Sequence, residues 1–396
     1  MKKLWDRKAG IKTDETIENY TVGVDYLLDL ELLPYDILGT RAHAKMLHKI
    51  KILSSKELGV LQGGLDKILL LWKKGKFKID KSQEDGHTAI EAFLTENYGE
   101  VGKKIHTGRS RNDQSLVMTR LFSKEKLFEI KKEIENLIEV LEWQIKKQGK
   151  IKMPGYTHMQ RAMPSSVGMW LGSYHDSLQD DLVLIDAAIK VVDQNPLGSA
   201  AGYGENTLGL DRKFTTRELN FKRVQENPMY CAMSRGKFEN IVLEAVSNAM
   251  FDIGKISSDL LLFTTKEFNF FTLPDSFKTG SSIMPQKKNY DILELIRGNV
   301  AIYNGYQHQI ENVIKNLYSG YNRDFQLTKE PYMKGMKLAH DTIEVMILVV
   351  KNLQANEENL ENACTPELYA TDEALKLVKS GKSFREAYQK VKEKFY

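Results

Sequence analysis

Two cysteines, Cys231 and Cys364, are all that 396 residues contain, and neither belongs to a Cys-x-x-Cys pair or a His/Cys zinc spacing. A disulfide-framed scaffold is thereby excluded, and a reducing cytosol is the expected location. Long apolar runs are missing too: Val345–Val350 is far too short to cross a bilayer and reads as the buried stretch of a core helix. At the N-terminus, charge comes before any apolar stretch in Met1–Arg7, which is not the pattern of a secretory leader. Nor is charge of one sign concentrated. Lys and Arg number 57 against 53 Asp and Glu, a net +4, and the two signs alternate along most of the chain. A nucleic-acid binder would gather its positive charge more strongly, so neither nucleic acid nor a membrane is an expected partner.

Glycine and proline are absent from Ser115 to Gln148. Within that stretch Leu127, Ile130, Ile134, Leu137, Leu141 and Ile145 recur at spacings of three and four, one apolar stripe on a helix about 50 Å long. Similar patterns predict helices over Ser165–Val192, Lys237–Phe263, Asp291–Lys315 and Lys329–Leu353, with shorter ones over Tyr35–Ile50 and Lys56–Lys74. Convincing period-two alternation is missing, so the fold class is all-α. The expected architecture is an elongated bundle of long helices over residues 109–354. A helical N-terminal domain (1–108) and a short C-terminal one (355–396) flank it. Stripes wider than one partner helix can cover suggest association between subunits.

What glycine, proline and polar residues there are cluster at the ends of those helices. His106–Gln114 reads His-Thr-Gly-Arg-Ser-Arg-Asn-Asp-Gln. Ser110, Asn112 and Asp113 can cap the following helix, and two arginines beside a helix N-terminus suit a carboxylate or phosphate, although a plain polar cap fits equally. Met153–Gln160 carries His158, a candidate acid or base or simply a structural histidine, with Thr157 and Gln160 beside it. Asn195–Gly204 holds three glycines, but no strand pattern precedes it, so a dinucleotide fingerprint is rejected. Thr279–Asn289 joins a Gly-Ser-Ser loop to Lys287, Lys288 and Asn289 and runs into a helix bearing Glu294. Capping explains the serines there but not the paired lysines.

Together these clusters resemble the fumarase/aspartase superfamily. Gly280–Asn289 looks like its signature Gly-Ser-Ser-x-x-Pro-x-Lys-x-Asn, with Glu294 at the glutamate five residues on. The stretch Thr107–Gln114 is typical of the argininosuccinate lyases within it, and Gly155–Gln160, Tyr321–Gln326 and Lys329-Glu330 match that branch as well. The resemblance runs from about Asn19 to the C-terminus. It implies β-elimination of argininosuccinate to arginine and fumarate, with neither metal nor organic cofactor. It also implies Ser281, His158, Lys287 and Glu294 as the catalytic set, the order of acid and base between Ser281 and His158 being open. Asn289 would grip the substrate carboxylate, with Asn112, Thr157, Gln160, Tyr321, Gln326 and Lys329 on the substrate and Ser110 and Arg111 close by. A cytoplasmic homotetramer with active sites shared between subunits is a further implication.

Three positions depart from that pattern. Gly23 stands where the family has a substrate-contacting serine near the N-terminus. Tyr290 stands where the family usually has proline after the signature asparagine. The family's Ser-x-Arg-Asp-Phe reads Ser234-Arg235-Gly236-Lys237-Phe238, with its arginine displaced. The competing enzymatic reading is adenylosuccinate lyase, which shares the elimination but needs a nucleotide phosphate site. The competing reading of another class is a structural protein like the δ-crystallins, which use the same fold.

Overall fold

The structure, a computed structural model, describes residues 14–395. It is dominated by helices: α1 (Glu15–Val22), α2 (Asp25–Lys49), α3 (Ser55–Lys73), α4 (Gly86–Tyr98), α5 (Arg111–Gln148), α6 (Val167–Val192), α7 (Arg212–Glu218), α8 (Pro228–Met233), α9 (Lys237–Phe263), α10 (Asp291–Ile314) and α11 (Lys329–Lys351), followed by shorter C-terminal ones. The all-α expectation holds, and the five long helices lie where the apolar periodicity put them. Their starts are set by side chains. α5 begins four residues before the expected Ser115, because the Asp113 carboxylate accepts the Ser110 N–H (3.0 Å) and the Ser110 hydroxyl accepts that of Asn112 (3.2 Å).

α2 begins ten residues before the expected Tyr35 and runs through Pro34. A proline inside a helix strips the carbonyl four residues back of its donor. That carbonyl belongs to Leu30, and it accepts a bond from the Trp72 indole N–H at 2.7 Å instead, so the helix continues. α3 opens on a full capping box between Ser54 and Glu57.

Expected as loop, the segment after α5 is an antiparallel hairpin of β1 (Lys152–Thr157) and β2 (Gln160–Ser166). Pro154 and Pro164 face each other in its register, and a bulge follows Gly155. Proline is tolerated here because a two-stranded sheet has only edges. Three further pairings, each of two-residue strands, include Thr279–Gly280 with Lys288–Asn289.

The chain divides into two compact units. The first comprises Met1–Glu129 (described from residue 14), Ile185–Ala245 and Gly305–Lys337. Its core packs α2, α3 and α4 together through Leu33, Ile37, Leu47, Leu61, Leu65, Ile90 and Leu94, all buried. The second comprises Ile130–Leu184, Val246–Asn304 and Leu338–Tyr396. There Trp170, Phe263, Phe268, Phe270 and Phe271 form an aromatic cluster, and Asp259 accepts bonds from the Trp170 indole (2.9 Å) and the Tyr174 hydroxyl (2.6 Å). Among the described residues no helix is long and apolar enough to cross a membrane.

Candidate active site

Two chemically distinct sets of groups emerge, one in each unit. In the first unit the start of α5 is built from below. Asp113 is fully buried and accepts three backbone N–H groups, from Ser110 (3.0 Å), Gly198 (2.9 Å) and Ala200 (3.1 Å). The glycine-rich loop Asn195–Gly204 therefore directs two of its amides, those of Gly198 and Ala200, at Asp113. Burial pushes the Asp113 carboxyl up to about 6, against the opposing pull of Arg109. Arg109 is itself buried, donates to the Thr40 hydroxyl at 2.7 Å, and offsets the charges of Asp36 and Asp113. Of the two arginines in the motif, Arg109 is an internal strut. Arg111 lies 2.6 Å from Asp85 and 3.4 Å from Glu84 and faces a cavity.

That cavity, about 170 Å³, brings together Arg111, Asn112, Tyr321, Gln326 and Lys329 from three separate stretches of sequence. Lys329 is almost wholly buried, with its ammonium 2.8 Å from Asp25 and 2.5 Å from Asp29. Gln326 is oriented by donating to the carbonyls of Thr21 and Val22, both at 3.2 Å. Three further lining groups carry charge: Asp25 and Asp29, one turn apart on α2, and Arg235. Sequence reasoning missed the two aspartates, since an i, i+4 acidic pair is ordinary on a solvated helix. It left Arg235 open, and the structure turns it into the cavity. Gly236 beside it has φ +76°, and a Cβ there would stand 2.4 Å from Ile314 Cγ2. An arginine at the family's own position is therefore barred. The Ser110 hydroxyl is occupied at the helix cap and does not line the cavity.

In the second unit, Thr157, His158, Met159 and Gln160 form the exposed tip of the β1–β2 hairpin. His158 (φ 53°) and Met159 (φ 60°) both adopt left-handed backbone, the two-residue turn that matches strand twist but normally wants Asn-Gly. A histidine held there is strained, and such strain concentrates at functional positions.

Residues 281–287 loop between the paired strands Thr279–Gly280 and Lys288–Asn289. The Ser281 oxygen accepts the N–H of Met284 at 3.1 Å and lies 3.4 Å from that of Ile283. The loop is anchored from outside. Lys278 and Lys288 both bind Asp275 (2.7 and 2.9 Å) and hold its carboxyl down at about 2. Tyr290, in the place of the family proline, fixes the junction to α10 by accepting the Leu273 N–H (3.0 Å) and donating to the Leu273 carbonyl (3.2 Å). Both paired lysines line a cavity of about 240 Å³ with Asn289 and Glu294, and Lys288 is in addition tied to Asp275.

Among the described residues one group could offer three ligand atoms to a metal: His87, Glu91 and His106. The two imidazoles stack, centroids 3.7 Å apart and planes within 12°. Ring lone pairs lie in the ring plane, so two planes 3.7 Å apart cannot both point at one ion about 2.1 Å from each nitrogen. Burial pushes His87 down to about 3 and His106 well below the usual histidine range, with Arg109 adding to both. His87 bonds Gln114, which bonds Asp36. This stack is a neutral support beneath the start of α5.

Comparison with known proteins gives a consistent pattern. The sequence model of a family described as lyase matches residues 5–302. The argininosuccinate lyase of Thermotoga neapolitana is 41% identical over 393 residues, 99% of this chain and 98% of that protein. That of Xanthomonas euvesicatoria pv. vesicatoria is 43% identical over 386 residues, 98% and 89% respectively. Among solved structures, EDDS lyase in complex with formate superposes with a TM-score of 0.81 at 26% identity, covering 96% of this chain and 75% of that one. The class II fumarase of Schistosoma mansoni reaches 0.76 at 18% identity, covering 95% and 91%, which is a likeness of fold alone.

Proposed function

The chain belongs to the lyase family and, within it, to the argininosuccinate lyases, and from that membership we propose how its residues cleave argininosuccinate to arginine and fumarate. What supports the substrate reading best is the convergence of Arg111, Asn112, Tyr321, Gln326 and Lys329 on one cavity lined by charges of both signs. The substrate has the same character, with an amino-acid head at one end and two carboxylates at the other.

In the elimination a C–H bond and the neighbouring C–N bond break, a C=C bond forms, and the departing guanidinium nitrogen keeps the electron pair. The proton is weakly acidic, so it needs a placed base and stabilisation of the carbanion. Ser281 is that base. Its oxygen already faces the N–H of Met284, which favours the anionic form. Lys287 and Asn289 grip the carboxylate on which charge grows, Glu294 holds the leaving guanidinium, and His158 assists proton transfer towards its nitrogen. Thr157 and Gln160, flanking His158 at the hairpin tip, contact the substrate. These steps use side chains alone.

A homotetramer fits the family, with each active site taking the clusters at His106–Gln114, Gly155–Gln160 and Gly280–Asn289 from three different subunits. A cytoplasmic setting fits a small-molecule enzyme with two unpaired cysteines. The deciding assay is incubation with argininosuccinate while following fumarate absorbance. Fumarate should appear, and adenylosuccinate, aspartate and malate should be turned over far more slowly. Absence of fumarate, or comparable turnover of adenylosuccinate, overturns the reading.

A further inference from the structure

In the second unit His158 has nothing of its own to orient it. Its side chain is exposed and makes no hydrogen bond or ion pair with any described residue, so the imidazole goes where the β1–β2 hairpin carries it. That hairpin is weak by itself. It has two strands, a bulge after Gly155, and two prolines, Pro154 and Pro164, with no N–H to give to the ladder. Its direction has to be set from outside, and two side chains behind the tip do so. Tyr156 and Arg161 face each other in the register, one pair in from Thr157 and Gln160. Tyr156 packs against Phe263 and Phe268, ring centroids 6.4 and 6.0 Å away. Arg161 reaches the C-terminal part of the chain, where its Nη1 donates to the Ala363 carbonyl at 3.1 Å and to the Thr365 hydroxyl at 3.3 Å.

The far side of that contact is firmly held. Ala363 caps the helix α12 (Glu357–Asn362), and the last carbonyls of a helix have no donor within it, so Arg161 supplies one. The Asn356 N–H donates to the Phe270 carbonyl (2.8 Å), the Asn359 amide to the Asn269 carbonyl (3.1 Å), and the Ala355 N–H to Gln148 at the end of α5 (2.9 Å). Thr365 in turn donates to Glu367 at 2.5 Å, and this hydroxyl, with the Arg161 charge beyond it, holds the Glu367 carboxyl below the usual carboxylate range.

We infer that Arg161 is a positioning residue for the reaction: by tying β2 to Ala363 and Thr365 it aims the hairpin tip, and with it His158, at the substrate. The inference rests on the role of His158 proposed above and gives the C-terminal segment a part in catalysis. Arg161 itself lies behind the tip and moves no proton. Exposed bonds of this kind contribute little to stability. A displacement of about 1 Å at a group that transfers a proton, in contrast, costs about 100-fold in rate. Activity should therefore suffer where folding does not.

Arg161→Met should lower kcat by about tenfold or more, with a smaller change in KM and an unchanged melting temperature. Arg161→Lys, which keeps one charged donor, should recover part of that loss. The deciding measurement repeats Arg161→Met on a His158→Asn background at high enzyme concentration, where residual turnover can be read. A residue that acts through His158 has nothing left to aim there, so kcat should match that of His158→Asn alone. Wild-type kcat in Arg161→Met overturns the inference, as does an equal loss with and without His158. Should Arg161→Met melt early, Thr365→Val takes its place in the cycle with a loss of about threefold, and an unchanged kcat overturns the inference there. The two readings fail separately. Near wild-type kcat in His158→Asn removes His158 from the reaction and the positioning role with it, whereas a nearly inactive His158→Asn beside an unimpaired Arg161→Met keeps His158 and removes only its support.

Discussion

Lys329 and Asp29, 300 residues apart in sequence, form an ion pair with 2.5 Å between Nζ and Oδ1 while their side chains are only 3% and 7% exposed. Removing one partner of such a pair strands the other charge in low dielectric. Lys329→Met should therefore destabilise the protein by about 3–5 kcal/mol, read from urea unfolding. Adding Asp29→Asn should recover part of that. Burial works against the Lys329 charge, but Asp29 and Asp25 outweigh it and raise its pKa above the usual lysine value. A group raised on folding contributes fully below its unfolded value and loses its contribution only as pH rises through the folded one. The gap between wild type and variant should accordingly stay level from pH 7 to 9 and narrow above about 10.4. A destabilisation below about 1 kcal/mol would show that water reaches the pair.

Ser281→Ala should lower kcat by several orders of magnitude while argininosuccinate still binds, because a base acts mainly in the transition state. Stopped-flow binding beside steady-state turnover separates the two effects. Retention of more than about a tenth of wild-type kcat would remove Ser281 from the reaction.

His158→Asn and Ser281→Ala proteins should each be nearly inactive alone. If His158 and Ser281 in one site come from different subunits, dissociating the two variants together and reassembling them should restore about a quarter of the sites, by symmetry counting over random mixtures. Verified mixed tetramers as inactive as the parents would place both residues on one chain.

His43 is buried with its Nε2 2.9 Å from the Thr107 carbonyl, and burial, with the Arg109 charge, pushes it down to about 3. Between that value and about 6.5 the unfolded chain holds a proton here that the folded one lacks, so stability falls as pH drops through the window. Asp36 and Asp113, pushed up to about 6 by burial, work in the opposite sense below that pH. His43→Gln keeps a donor for Thr107 but cannot titrate. The slope of unfolding free energy against pH between 4 and 6 should become more negative by about 1.4 kcal/mol per unit. An unchanged slope would mean that His43 is already charged in the folded state.

The long helices were legible because their signal is local. A stripe repeating every three or four residues needs no knowledge of its partner, and Lys237–Phe263 could be read from end to end. Pro34 misled for the same reason. Locally it ends a helix, and only Trp72, far along the chain, supplies the donor that lets α2 pass through it. The hairpin was hidden by its own composition, since prolines in both strands and a bulge erase the alternation that marks a strand.

For the candidate site, the sequence by itself determined which groups are available: the Gly-Ser-Ser loop with Lys287 and Asn289, His158 between Thr157 and Gln160, and the arginine pair before α5. It could do so because these residues sit in short contiguous motifs. Tertiary structure alone decided which of two similar neighbours faces a cavity. It buries Arg109 as a strut and turns Arg111 to the cavity, adds a tie to Asp275 for Lys288, and sets two amides of the glycine-rich loop on Asp113. Asp25 and Asp29 entered the cavity with no motif to announce them, and Arg235 entered it from a motif whose arginine is displaced by one position. The reason is physical: whether a charge is a surface ornament, an internal tie or a ligand contact depends on burial and on partners hundreds of residues away, and neither is written in the residues beside it.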